Sequence, residues 1–145
     1  MPNEDRSLLA LSHSESVDLL SGAQVGRVVF SERALPAVVP VTFALHADGI
    51  VMHTSRDTSL AVAAERGDVL AFEVDDIDPA SRTGWSVVVL GKPELVTNAK
   101  DRARINLVLE SWVSGHHDVC IRLPLTVVTG RRIASSSSAP ATSTV

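Results

Sequence analysis

Residues 72–96 read FEVDDIDPASRTGWSVVVLGKPELV, two β-like runs on either side of a polar loop that contains Pro and Gly. Together with the residues just before it, this stretch predicts strands over Val69–Ile77 and Trp85–Leu90, joined by the loop Asp78–Gly84. The unbroken run Val87, Val88, Val89, Leu90 reads as a strand buried on both faces. Composition agrees with a β protein, since 21 of the 145 residues are Val and aromatics supply only 3%, with no Tyr. Branched aliphatic side chains are stiff at χ1 and suit a pleated surface better than a helix.

On the N-terminal side, the run VGRVVF and its extension predict a strand over Val25–Ser31, followed by a turn at Glu32–Pro36 and a second strand over Ala37–Leu45. In that second strand Ala37, Val39, Val41, Phe43 and Leu45 share one apolar face, and Pro40 marks a bulge or an exposed edge because it has no N–H. The tetrad His46–Gly49 is a turn carried by Asp-Gly, and Ile50–Thr54 is a third strand. Ahead of all three, Ser12 and Glu15 have capping-box spacing and predict a helix over His13–Ser21, with Gly22 as its stop. Residues Met1–Ser7 read as a polar N-terminus with no apolar leader behind it.

Helix formers over Leu60–Arg66 follow the third strand directly, with Asp57, Thr58 or Ser59 available as the N-cap. Beyond the central hairpin, Ile105, Val108, Leu109 and Trp112 define the apolar stripe of a helix over about Asn98–Val113. Strands Val119–Leu123 and Leu125–Ile133 close the body around Pro124. The final segment, 135–145, is small and polar and reads as a disordered tail, so that residues 1–134 form one domain. The fold class is mainly β (α+β): a small barrel of antiparallel strands with a few peripheral helices, because three helices cannot cover both faces of a parallel sheet.

Charge and composition exclude several functions. A net charge of −4 and scattered basic residues argue against a duplex-binding surface. Five aromatic residues make a poor platform for stacking bases, so no nucleic-acid partner is expected. The longest strongly apolar run falls far short of the ~20 residues of a membrane helix, so no membrane partner is expected either. A lone cysteine, Cys120, cannot form an intrachain disulfide, and the expected location is cytoplasmic.

Few residues suggest chemistry on their own. Thr54, Ser55, Arg56, Asp57, Thr58 and Ser59 lie between a strand end and a helix start, where free N–H groups and the helix dipole favour an anion. Ordinary capping with a solvated Arg56 explains the same residues. The loop Asp75–Trp85 is long and polar, and Arg82 in it either faces a ligand or belongs to a plain turn. His116, His117, Asp118 and Cys120 can each bind metal, but neighbouring strand residues point to opposite faces, so no metal site is expected. No Gly-rich phosphate loop, hydrolase triad or HExxH motif is present.

Five segments of the sequence, VGRVVF (25–30), LPAVVPVTFAL (35–45), the strand-to-helix stretch 51–66, residues 72–96 and TGRRI (129–133), resemble the pyridoxamine 5′-phosphate oxidase-like family, especially its small actinobacterial members. The resemblance implies a split β-barrel and a homodimer with two cofactor sites at the subunit interface, taking FMN or the deazaflavin F420. It implies that the isoalloxazine lies against Val39, Pro40, Val41, Thr42 and Phe43. The phosphate would lie near Thr54, Ser55, Arg56, Thr58, Ser59 and Leu60, with Trp85, Ser86 and Val87 approaching the site. The implied activity is that of an oxidoreductase acting on a small conjugated or nitro-type molecule, with no catalytic residue of the protein's own. Many flavin-binding relatives carry Lys after the Thr of that helix start, as in GTKL, whereas this chain has Ser59 after Thr58. Losing that cation weakens a bound phosphate by about 1–3 kcal/mol. Two other functions fit the same scaffold: a non-catalytic ligand-binding or stress-associated protein, and a haem-binding relative with His53 or His117 as ligand.

Overall fold

The computed structural model describes residues 6–109 and 118–135. In chain order the elements are β1 (Arg6–Leu11), α1 (His13–Ser21), β2 (Val25–Glu32), β3 (Leu35–Thr42), β4 (Ala44–His46), β5 (Gly49–Thr54), α2 (Ser59–Arg66), β6 (Leu70–Asp78), β7 (Thr83–Gly91), β8 (Glu94–Leu95), α3 (Ala99–Val108), β9 (Val119–Pro124) and β10 (Val127–Ser135). A six-stranded sheet runs β1-β10-β7-β6-β2-β3, and a four-stranded sheet runs β4-β5-β9-β8. Every strand pair is antiparallel.

The central hairpin forms as β6 and β7, but its loop is shorter than the sequence suggests. Pairing continues to Asp78↔Thr83, so Asp78, Thr83 and Gly84 at the ends of the expected loop are strand. The cause is local: the Asp78 carboxylate accepts from the Ala80 N–H at 3.0 Å and the Ser81 hydroxyl at 2.9 Å, and the Arg82 N–H donates to the Asp78 carbonyl at 2.8 Å. Those donors hold the Asp78 carboxyl below its ordinary pKa. Arg82 takes a positive φ of 59° to close the turn.

Alternation then decides which residues make the core. Val28, Phe30, Phe72, Val74, Val87 and Val89 point inward and pack with Leu20, Ile50, Met52, Leu60, Ile121 and Leu123. Each such side chain contributes roughly 1.5–3 kcal/mol by leaving water. The expectation that the Val87–Leu90 run is buried on both faces is corrected here. Val87 and Val89 are fully buried, but Val88 is half-buried and Leu90 is 42% exposed, because in one chain no layer covers the outer face of β7 at Leu90.

The expected strand Ala37–Leu45 is two strands in two sheets. The ladder with β2 ends at Thr42, and Phe43 carries the chain across, its N–H donating to the Gln24 carbonyl at 3.0 Å. Pro40 falls on an edge strand, as its missing N–H requires. Between β4 and β5 the positive φ values belong to Ala47 (50°) and Asp48 (56°), and Gly49 is already in β5. Its lack of a side chain matters for another reason, since a Cβ there would sit 2.7 Å from Cγ of Arg122.

The helices follow their signals. Ser12 and Glu15 form the reciprocal capping box of α1, at 2.8 and 3.1 Å. Helix α2 is capped by Thr58 and stops at Gly67 in the left-handed conformation, φ 75°. Helix α3 ends at Val108, five residues earlier than expected. Leu109 turns extended there while its N–H still reaches the Ile105 carbonyl at 2.9 Å. Ile105 and Leu109 are buried with Val51 and Cys120, whereas Val108 faces solvent, and Trp112 lies outside the described residues. Strand β1 was not predicted. It pairs with β10 along its whole length, and its leucines Leu8 and Leu9 stay exposed at the sheet edge, so it lacks the alternation that marks a strand. Strand β10 also takes in Ser135, and the rest of the expected tail lies outside the described residues.

Candidate functional site

Strand β3 is one of the two edges of the six-stranded sheet, opposite β1. Since the Phe43 N–H bonds toward β2, the antiparallel alternation turns the backbone groups of residues 36, 38, 40 and 42 away from β2. Two of those four are Pro, so Val38 and Thr42 supply the outward N–H donors, while all four supply carbonyls. Val39 is 37% exposed and Pro40 is exposed, Val41 and Thr42 are half-buried, and Phe43 is buried in the core. This edge offers what a flat aromatic ring with a polar rim needs: branched apolar surface beside fixed donors and acceptors.

The turn between β5 and α2 is built from hydroxyls. The Thr58 side chain accepts from the Ala61 N–H at 3.1 Å and donates to the Ser55 carbonyl at 2.8 Å. The Thr54 hydroxyl, 2.8 Å from the Thr58 hydroxyl, therefore donates to it. Arg56 is exposed and pairs with Asp118. Its N–H donates to Oδ1 at 3.0 Å, and its Nε lies 3.6 Å from Oδ2. Ser59 is exposed and Leu60 is a core residue. The sequence offered either an anion or ordinary capping at this turn, and the resemblance implied a phosphate there. The structure places a carboxylate of the same chain there, 62 residues away along the chain, and no local pattern signals that.

Trp85 is half-buried at the core margin, Ser86 is half-buried on the outer face, and Val87 is fully buried. Strand β7 lies three strand positions from β3 in the same sheet, about 14 Å at the usual spacing. Within one chain, then, Ser86 and the β3 edge are not brought together.

Sequence reading also missed a charged cluster on the outer face. Arg27 Nη1 lies 3.2 Å from Glu73 Oε1 and 3.5 Å from Asp75 Oδ2. Partial burial, a hydrogen bond with Asp75 and the negative charge of Asp75 push the Glu73 carboxyl up to about 7, with Arg27 opposing them. The signal was present as charges at alternate positions of β6, which share one face. Beside this cluster runs an apolar row in register across five strands, Val38↔Val29↔Ala71↔Leu90↔Val127. Val38 is 58% and Val127 53% exposed.

His53 is half-buried on β5 opposite Cys120, and burial pushes the Cys120 thiol up. His116 and His117 lie outside the described residues. Among the described residues no three metal-capable side chains gather, and no helix is long and apolar enough to cross a membrane.

The sequence profile of the pyridoxamine 5′-phosphate oxidase family matches residues 12–132. The chain belongs to this family. It is 40% identical to the uncharacterised protein Rv0080 of Mycobacterium tuberculosis over 144 residues, which covers 96% of this chain and 94% of that one. It also resembles the solved structure of an FAD-binding protein from Mycobacterium smegmatis, with 30% identity and a TM-score of 0.71 over 86% of this chain and 96% of the other. A structure of an FAD-binding protein from Mesorhizobium loti matches at a TM-score of 0.73, covering 90% of this chain and all of that one. At 21% identity that last likeness speaks for the fold alone. The family assignment agrees with the split arrangement of two antiparallel sheets derived above.

Proposed function

We propose that two copies of this chain form a homodimer that holds a flavin-type cofactor, FMN, FAD or the deazaflavin F420, at each of two interfacial sites. In this reading the dimer serves as an oxidoreductase for a small conjugated or nitro-type substrate. The observation that carries the reading is strand β3, an edge with outward carbonyls and two outward N–H groups, in a chain of this family. The relative from M. smegmatis, described as FAD-binding, supports a flavin. Bound there, the cofactor would supply hydride transfer, which needs no acid or base from the protein. The chain's own contribution is positional: Val39, Pro40 and Val41 offer apolar surface to the ring, and the backbone of Val38–Thr42 faces its polar rim.

Two observations support the second copy. The row from Val38 to Val127 leaves apolar surface on the outer face where a monomer gains nothing from it. The separation of β7 from β3 means that Trp85 and Ser86 reach a ring on β3 more readily from a partner chain. The test is the visible spectrum and melting temperature of the purified protein before and after adding FMN, FAD and F420 at tens of micromolar. Binding should give a yellow protein and a raised Tm. If none of the three shifts either signal, the proposal fails. A non-catalytic binding protein on the same scaffold is favoured by Ser59, where many relatives carry Lys. It would bind a cofactor yet show no turnover with a chemical reductant and a nitro-aromatic acceptor.

A further inference from the structure

We infer that Asp118 is a specificity-determining residue of the proposed cofactor site: it disfavours a ligand ending in a phosphate monoester and admits one whose phosphate is a singly charged diester. The inference rests on the reading above, in which the phosphate lies at the turn between β5 and α2.

The turn has few donors left for a doubly charged group. The Thr58 proton is committed to the Ser55 carbonyl, the Thr54 proton to Thr58, and the Ala61 N–H to Thr58 as well. The Ser59 hydroxyl is exposed, and the amides of Ser59 and Leu60 have no acceptor within the helix. The cation of the turn is Arg56, and Asp118 holds both its N–H and its guanidinium. Position 59, where many relatives have Lys, is Ser.

The surroundings add negative charge. Arg56 and Asp118 line a groove of about 360 Å³ together with Glu65, while Asp57 sits exposed beside Arg56. Arg102 reaches Asp118 at the backbone carbonyl, 3.2 Å. An arriving phosphate must either share Arg56 with Asp118 or displace it. Either way it lies within a few ångströms of a carboxylate. A phosphate monoester carries close to two charges at neutral pH and a diester one, so repulsion from Asp118 is nearly doubled for FMN. The phosphate of F420 is a diester with one charge, whereas the pyrophosphate of FAD carries two, and the Arg56 guanidinium is already paired with Asp118.

The test measures dissociation constants for riboflavin, FMN, FAD and F420 with the wild-type protein and with Asp118→Asn. Riboflavin has no phosphate and reports the ring alone. Asp118→Asn should tighten FMN about tenfold, equivalent to about 1.4 kcal/mol, tighten F420 by no more than about threefold, and leave riboflavin within about twofold, with FAD falling between FMN and F420. Equal changes for riboflavin and FMN, or an unchanged ratio of FMN to F420 affinity, overturn the inference while leaving cofactor binding intact. If no ligand binds either protein, the functional reading fails and this inference with it. Glu65→Gln, which lines the same groove from α2, should shift FMN in the same direction by a smaller factor, and it decides the matter if Asp118→Asn does not fold.

Discussion

The ring of Phe43 meets that of Phe72 edge to face, with centroids 4.8 Å apart and planes at 68°. This contact joins the two sheets, since Phe43 lies between β3 and β4 and Phe72 lies on β6. Phe43→Ala should therefore cost about 3–5 kcal/mol, with Phe43→Leu losing less because it keeps most of the volume. Urea denaturation of the two variants against wild type checks the order. A cost below about 1 kcal/mol for the alanine variant would show that the crossing is held by something other than this pair.

At the β5–α2 turn, Thr58 caps the helix and anchors Thr54 through one oxygen. Thr58→Ala should lower stability by roughly 0.5–2 kcal/mol, and Thr58→Ser should recover most of it because the hydroxyl is retained. Thermal melts of both variants distinguish a cap from simple packing of the methyl group.

Glu73 gives the pH dependence a definite sign. Its carboxyl is raised from the ordinary 4.5 to about 7 in the folded chain, so the folded state holds its proton more tightly than the unfolded state. Its contribution is present below about 4.5 and is lost as pH rises toward 7. Glu73→Gln should flatten that part of the stability curve and be more stable than wild type at about pH 8. Denaturation at several pH values checks this. A wild-type protein that gains from Glu73 as pH rises through this window contradicts it.

Leu90 tests the proposed dimer. In one chain it is 42% exposed, so Leu90→Asp should change monomer stability by only about 0.5–1 kcal/mol. Across a buried interface the same change should weaken association at least tenfold, about 1.4 kcal/mol or more. Sedimentation should give a mass near twice 15.4 kDa for wild type and a shift toward 15.4 kDa for the variant. Identical masses for the two proteins would place the interface elsewhere or remove it.

What could be read from the sequence was local. The Ser12–Glu15 box and a cap among Asp57, Thr58 and Ser59 each depend on neighbours within a few residues, whereas the unbroken Val87–Leu90 run hid the two-residue period that buries Val87 and Val89 and leaves Leu90 exposed. The parts not legible were those made by distant partners. Strand β1 is held by β10 and has little pattern of its own. The break at Phe43 depends on where Phe72 and Gln24 lie. Asp118 reached the turn at Arg56 only through the fold, although both residues had been noted singly. Of the proposed site, the part on β3 came from the family resemblance, and only the turn had a local signal, hydroxyls and Arg56 at a helix start.

Strand β3 has one more consequence. An uncovered strand edge is a template on which a further chain can pair and repeat without limit, the geometry from which fibrils grow. Pro36 and Pro40 occupy two of the four outward positions between residues 36 and 42, so no continuous ladder can form there. Single hydrogen bonds at Val38 and Thr42 remain possible. The chain thus keeps an edge that a small flat molecule can use and that another strand cannot extend.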